Sequence, residues 1–117
     1  MAWDIEGCDQ FADWYGDLRP EEQARVDYVI AILEQRGPTL GRPYVDTVYG
    51  SRHSNMKELR VQVAGDPTRI FFAFDPRRTA ILLIGGDKTG NVLFYDRMIP
   101  IADDLYDEHL AEIEKEH

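Results

Sequence analysis

Three features of the sequence predict an α+β domain, with two N-terminal helices packed on an antiparallel sheet of about four strands and a C-terminal helix closing the chain. Apolar residues recur every three to four positions before residue 37 and after residue 100. Between about residues 58 and 84 that period drops to two, and clusters of Gly, Asp and Pro punctuate the alternating runs. At 117 residues the chain fits one domain, spanning 1–117, and a chain of this size buries roughly two thirds of its unfolded surface.

Trp3 and Ile5 suggest a short opening strand. Phe11, Trp14, Tyr15 and Leu18 fall at i, i+3, i+4 and i+7, the stripe of a short amphipathic helix from about Asp9 to Leu18. A second helix opens at Pro20, which suits a first helical position, with Glu21 and Glu22 at its positive dipole end. Its stripe is Val26, Val29, Ile30 and Leu33, and Gly37-Pro38 ends it. From Gly37 to Asn55 no period is visible, and the segment reads as an irregular connection.

Leu59, Val61 and Val63 then alternate with Glu58, Arg60 and Gln62, one apolar and one polar face. Ala64-Gly65-Asp66-Pro67 turns the chain into a strand from Arg69 to Asp75, and Asp75-Pro76-Arg77-Arg78 turns it into Thr79–Ile84. The unbroken apolar run Ala80–Ile84 is that of a central strand covered on both faces. Gly85–Asn91 reads as a mobile loop and Val92–Tyr95 as one more strand. The last helix is expected near Pro100, with Ala102, Leu105, Tyr106, Leu110 and Ile113 inward.

The net charge of −9 is unevenly spread. Residues 1–35 carry −7 and residues 98–117 carry −6, whereas residues 36–97 carry +4. A basic middle between acidic ends keeps a polyanionic partner in play despite the acidic total. No apolar stretch is long enough for a membrane span, and the opening residues show no export leader, so a cytoplasmic protein without a membrane partner is expected. Cys8 is the single cysteine, which excludes an internal disulfide and a thiolate zinc site. His53, His109 and His117 are too scattered for a metal cluster by spacing, and neither metal nor cofactor is expected. Gly85-Gly86-Asp87-Lys88-Thr89-Gly90 lacks the spacing of a P-loop.

The positive signal is a set of cations and aromatics assigned to one sheet and its loops: Arg52, His53, Lys57, Arg60, Arg69, Lys88, Tyr95 and Arg97. Metal-free RNA cleavage needs a base for the 2′-hydroxyl, cations for the pentavalent phosphate and an acid for the 5′-oxygen, roles that Lys, Arg, His and Tyr can fill. Arg77 and Arg78 read instead as turn residues and Arg42 as a solvated charge, and His53 reads as a structural residue before a catalytic one.

The pattern Phe11, Trp14, Leu18, Val26, Ile30, Leu33 and Gly37, then Gly41-Arg42-Pro43, then Gly50 through Arg60, resembles the toxin half of RelE/HigB-type toxin–antitoxin pairs, in the phage-derived Gp49-like branch. Arg69 through Pro76 and Leu82 through Gly90 continue the likeness, which runs from about residue 3 to 113. The resemblance implies a microbial-RNase-like sheet and ribosome-dependent, metal-independent cleavage of messenger RNA. By matched position, Arg60 and Arg69 would stabilise phosphate, Lys88 would hold the transition state or act as base, and Tyr95 would donate a proton or stack. Lys57 and Arg97 would position the RNA backbone, with Arg52 and His53 completing the RNA-binding set. It further implies a helix-turn-helix antitoxin of the HigA/Xre kind and a toxin–antitoxin heterotetramer. A ParE-like inhibitor of DNA gyrase, or a degenerate toxin that only binds its antitoxin, would share the fold. Ribosome-acting members are strongly basic, and this chain departs from them in its acidic total.

Overall fold

A computed structural model describes residues 2–116, so His117 lies outside the described residues. The elements run β1 (Ile5–Gly7), α1 (Asp9–Gly16), α2 (Pro20–Arg36), a 3₁₀ turn (Gly37–Thr39), β2 (Val45–Thr47), β3 (Lys57–Val63), β4 (Asp66–Phe74), β5 (Ala80–Asp87) and α3 (Phe94–Lys115).

The five strands form one sheet in the order β1-β5-β4-β3-β2. This exceeds the expected count of about four, and the sheet is mixed: β1 runs parallel to β5, with Ile5 opposite Ala80, while the other pairs are antiparallel. The additional strand, β2, lies inside the segment read as irregular, and three residues are too few to establish a period. Ala64 and Gly65, at φ 52° and 85°, make the β3–β4 turn. Positive φ at both central residues matches the right-handed twist of the flanking strands.

Helices cover both faces. Phe11, Val26, Val29 and Leu33 of α1 and α2 pack with Leu59, Val61, Ile70, Phe72 and Leu82 on one side. Phe94, Ala102, Leu105 and Tyr106 of α3 pack with Phe71, Ala73, Ile81 and Leu83 on the other. Strand residues divide between these faces by parity, as the pleat requires. The boundaries of α2 fall where Pro20 and Gly37 place them. Gly37 sits at φ +61°, and a Cβ there would lie 2.2 Å from the Trp3 indole nitrogen, so both its backbone angle and its surroundings require glycine.

The C-terminal helix begins at Phe94 and not at Pro100, and the strand expected over Val92–Tyr95 is absent. Asn91 explains this: its side-chain oxygen accepts from the Leu93 amide at 3.1 Å and its carbonyl from the Phe94 amide at 3.2 Å. That turn starts the helix six residues early, and Phe94, Met98 and Ala102 continue its inward stripe. Pro100 stands inside the helix at an exposed position, where the carbonyl deprived of its N–H partner can meet water.

Between Phe71 and Phe72 the β4–β5 register slips: Phe71 pairs with Ile84 but Phe72 with Leu82, leaving Leu83 as an extra residue. This bulge inverts the parity of everything after it. Gly85 therefore backs onto Trp14 of α1, and Gly86 onto Phe94 of α3. Gly85 to Asp87, read from sequence as loop, are the last residues of β5.

Candidate functional site

Arg60 of β3 and Arg69 of β4 are direct cross-strand partners on the α3 face. Two like charges opposite one another repel, and the buried carboxylate of Glu58, two residues before Arg60, answers them. Arg60 Nη1 donates to Glu58 Oε2 at 3.2 Å. Arg69 Nε stands 3.8 Å from the same oxygen, within ion-pair reach but beyond a hydrogen bond. The other carboxylate oxygen accepts from the Tyr95 hydroxyl at 2.8 Å.

Lys88 joins this group because of the bulge. Without the extra residue, strand parity would carry it to the α1/α2 face; with it, Lys88 follows Gly86 on the α3 side. Its Nζ lies 5.5 Å from the centre of the Tyr95 ring. The Lys88 amide donates to the Pro67 carbonyl at 3.0 Å, which extends the β4–β5 ladder by one bond and holds the loop's first residue in place. Arg60, Lys88, Tyr95 and Glu58 line one open cleft of about 460 Å³, together with Arg42 and Asp46.

The electrostatics of the cleft are those of crowded cations around one acid. Burial lowers the Lys88 pKa below the ordinary lysine value, and the Arg69 and Arg60 charges lower it further against the opposing pull of Glu58. Burial raises the Tyr95 phenol, and its bond to Glu58 raises it more. The cations are thus not the free set expected from sequence, because Glu58 engages two of them. Three cations against one carboxylate still leave two positive charges. Arg42 is also engaged, donating to Asp46 Oδ2 at 2.7 Å.

The remaining four of the eight nominated residues lie elsewhere. Arg52 pairs with Asp103, Asp104 and Asp107 of α3, and His53 Nε2 lies 2.7 Å from Asp107 Oδ1. Both therefore tie the 50–55 loop to the acidic helix and do not line the cleft. Lys57 has the parity of Leu59 and Val61 and pairs with Phe72, which assigns it to the α1/α2 face, opposite Arg60. Arg97 is exposed on α3 and does not line the cleft. Glu58 is the central residue that the sequence reading passes over as one more polar member of an alternating strand. Its signal is that an acid sharing a face with Arg60, on a strand buried elsewhere, has to be partnered.

Among the described residues no group of three or more His, Cys, Asp or Glu side chains could hold a metal ion. Among the described residues no helix is long and apolar enough to cross a membrane.

A mixed five-stranded sheet between helical layers, with a cationic cleft on its α3 face, defines a RelE-like α+β domain. The archaeal RelE of the RelE–RelB complex from Pyrococcus horikoshii OT3 superimposes with a TM-score of 0.57 at 15% identity, covering 77% of this chain and 99% of that one. The chain belongs to the family "Phage derived protein Gp49-like", whose model matches residues 13–107. Two curated relatives come from Mycobacterium tuberculosis (strain ATCC 25618 / H37Rv). "Putative toxin HigB3" is 52% identical over 103 residues, which are 87% of this chain and 89% of that protein. "Putative toxin HigB2" is 47% identical over 116 residues, which are 97% of this chain but only 57% of that protein.

Proposed function

We propose that this chain is the toxin of a toxin–antitoxin pair, and that it cleaves messenger RNA on the ribosome without a metal. The observation that carries this reading is the meeting of Arg60, Lys88 and Tyr95 with Glu58 at one open cleft, with buried Arg69 behind it 3.8 Å from Glu58. In this reading a phosphodiester takes the place between Arg60 and Lys88, where two uncompensated positive charges offset the charge of the pentavalent phosphorane. The Glu58 carboxylate accepts the 2′-hydroxyl proton as the 2′-oxygen attacks phosphorus. Lys88, with its lowered pKa, protonates the departing 5′-oxygen. The products are a 2′,3′-cyclic phosphate and a 5′-hydroxyl. Arg69 holds Glu58 in position, and the Tyr95 ring offers a stacking surface to an unpaired base.

The partner in this reading is a small helix-turn-helix antitoxin, joined in a heterotetramer and acting in the cytoplasm. The two HigB relatives and the RelE–RelB complex support an antitoxin of some kind. The test is induction in a bacterium with mapping of RNA 5′ ends. New 5′-hydroxyl ends within translated messages are expected; intact messages with folded protein present would overturn the reading. Loss of supercoiling before any change in messages would assign the chain to gyrase inhibition instead. Unchanged growth and messages would leave a degenerate toxin that binds only its antitoxin.

A further inference from the structure

A second cavity, of about 430 Å³, opens where β2 ends and leaves the far half of β3 without an outer neighbour. Arg25 and Tyr28 of α2, Arg42 and Tyr44 of the preceding loop, and Arg60 and Arg69 of the sheet line it. Every charged residue in its wall is an arginine, in contrast to the neighbouring cleft, where Asp46 and Glu58 share the wall. Arg25 reaches across the open edge, its Nε donating to the Gln62 carbonyl at 3.4 Å.

Arg69 makes this cavity more than a basic patch. Its side chain is 6% exposed, and its buried Nε, 3.8 Å from Glu58 Oε2, is in ion-pair reach of that acid but makes no hydrogen bond. Its one hydrogen bond from the guanidinium runs from Nη1 to the Thr68 carbonyl at 3.0 Å. A buried guanidinium with an orphaned donor is costly unless something else satisfies it, and the groups that satisfy arginines best are anions. Tyr28, 61% exposed, stands free at the rim, a flat surface of the kind on which bases stack. Arg60 and Arg42 line both cavities, so a strand leaving the first passes directly into the second.

We propose that this cavity is a second phosphate subsite, in which Arg25 and Arg69 take the phosphate next to the scissile one and Tyr28 stacks on the attached base. The proposal rests on the reading of the Glu58 cleft as an RNA-cleaving site and adds to it the direction of the bound strand, from Lys88 across Arg60 toward α2. An acidic segment of a protein partner is the competing occupant, disfavoured by the tyrosine at the rim and by continuity with the cleft.

The test measures binding of single-stranded RNA oligomers of two to six nucleotides, made uncleavable by 2′-O-methylation, to the full chain. Wild-type affinity should rise about tenfold at the length that first fills the second subsite. Arg25→Ala and Tyr28→Ala should each abolish that step, and Arg25→Ala should also flatten the slope of log affinity against log salt by about 0.7, the loss of one phosphate contact. Arg36→Ala, three turns further along α2, should keep both. An unchanged length step in Arg25→Ala and Tyr28→Ala, with RNA cleavage intact, would overturn this subsite alone. Absence of cleavage and of binding to every oligomer would overturn the cleft and the subsite together. Arg25→Ala that weakens a purified antitoxin complex but not RNA binding would assign the cavity to a protein and also overturn the proposal.

Discussion

The Tyr95 hydroxyl donates to the Glu58 carboxylate at 2.8 Å, joining the first turn of α3 to the second residue of β3. The same carboxylate holds Arg60 and faces Arg69, so one buried acid meets three side chains, two of them in the cleft wall. Removing it strands a buried guanidinium, and Glu58→Gln should cost about 3 kcal/mol in denaturant unfolding, in line with other broken buried pairs. Tyr95→Phe removes only a charge-assisted hydrogen bond and should cost about 2 kcal/mol. A stability loss for Glu58→Gln no larger than that of Tyr95→Phe would show that Glu58 is not the hub of the cluster.

Lys88 touches the cleft without bearing on the core, so Lys88→Met should fold normally and lose about a hundredfold in cleavage rate, the usual scale for one missing transition-state donor. Because the amine gives a proton in the proposed step, it has to be charged, and activity falls as pH rises through its pKa. Burial beside Arg69 and Arg60 holds that pKa below the ordinary value, so the alkaline limb should lie below about 10.4. A pH–rate profile in which Lys88→Met keeps the same alkaline limb would assign it to another group.

How much of this was legible in the sequence depends on which ordering rule each residue obeys. The ends of α2 follow from Pro20 and Gly37, because proline and glycine act on the backbone locally. The meeting of Arg60 with Arg69 was legible only in part, because the turn expected over Ala64–Pro67 closes at Ala64-Gly65, with Asp66 and Pro67 already in β4, and that shorter turn sets the register of the hairpin. Lys57 could have been placed correctly, since it shares parity with Leu59 and Val61. The bulge at Leu83 has no such signal: the run Ala80–Ile84 is apolar throughout, and nothing in it marks where two successive side chains take one face. The face of Lys88 was therefore hidden. Arg52 and His53 were hidden for another reason, as their partners Asp103, Asp104 and Asp107 lie some fifty residues away and only tertiary packing brings them together.

The glycine pair at the end of β5 gives a direct check of the bulge. A Cβ at Gly85 would lie 2.6 Å from the Trp14 ring, while one at Gly86 would lie 3.0 Å from Phe94, on opposite faces of the sheet. Both helices are fixed by core contacts and cannot easily retreat. Gly85→Ala should cost about 2 kcal/mol, the usual scale of overpacking, whereas Gly41→Ala, with open space around it, should be near neutral. Equal stability of Gly85→Ala and wild type in urea would contradict the placement of Trp14 against this strand.

Asp75 supplies the clearest dependence of stability on pH. Its carboxylate is buried, accepts from the Arg77 amide at 2.8 Å and the Thr79 amide at 3.2 Å, and meets Arg77 Nη2 at 2.7 Å and His109 Nε2 at 2.8 Å. Burial pushes its pKa up, but the bonds from Arg77, His109 and Thr79 outweigh burial and hold it below the ordinary aspartate value. A carboxyl whose folded pKa is depressed binds its proton more readily in the unfolded chain. Its contribution is therefore complete above the unfolded value of about 3.9 and is lost as pH falls through the folded one. Unfolding free energy measured in urea should be flat near neutrality with respect to this group and should drop below about pH 4. Asp75→Asn should lower stability at pH 7 by about 3 kcal/mol, because Arg77 and His109 lose the charge they surround. The same variant should show a shallower acid limb than wild type, and an acid limb of unchanged steepness would mean that another carboxylate governs it.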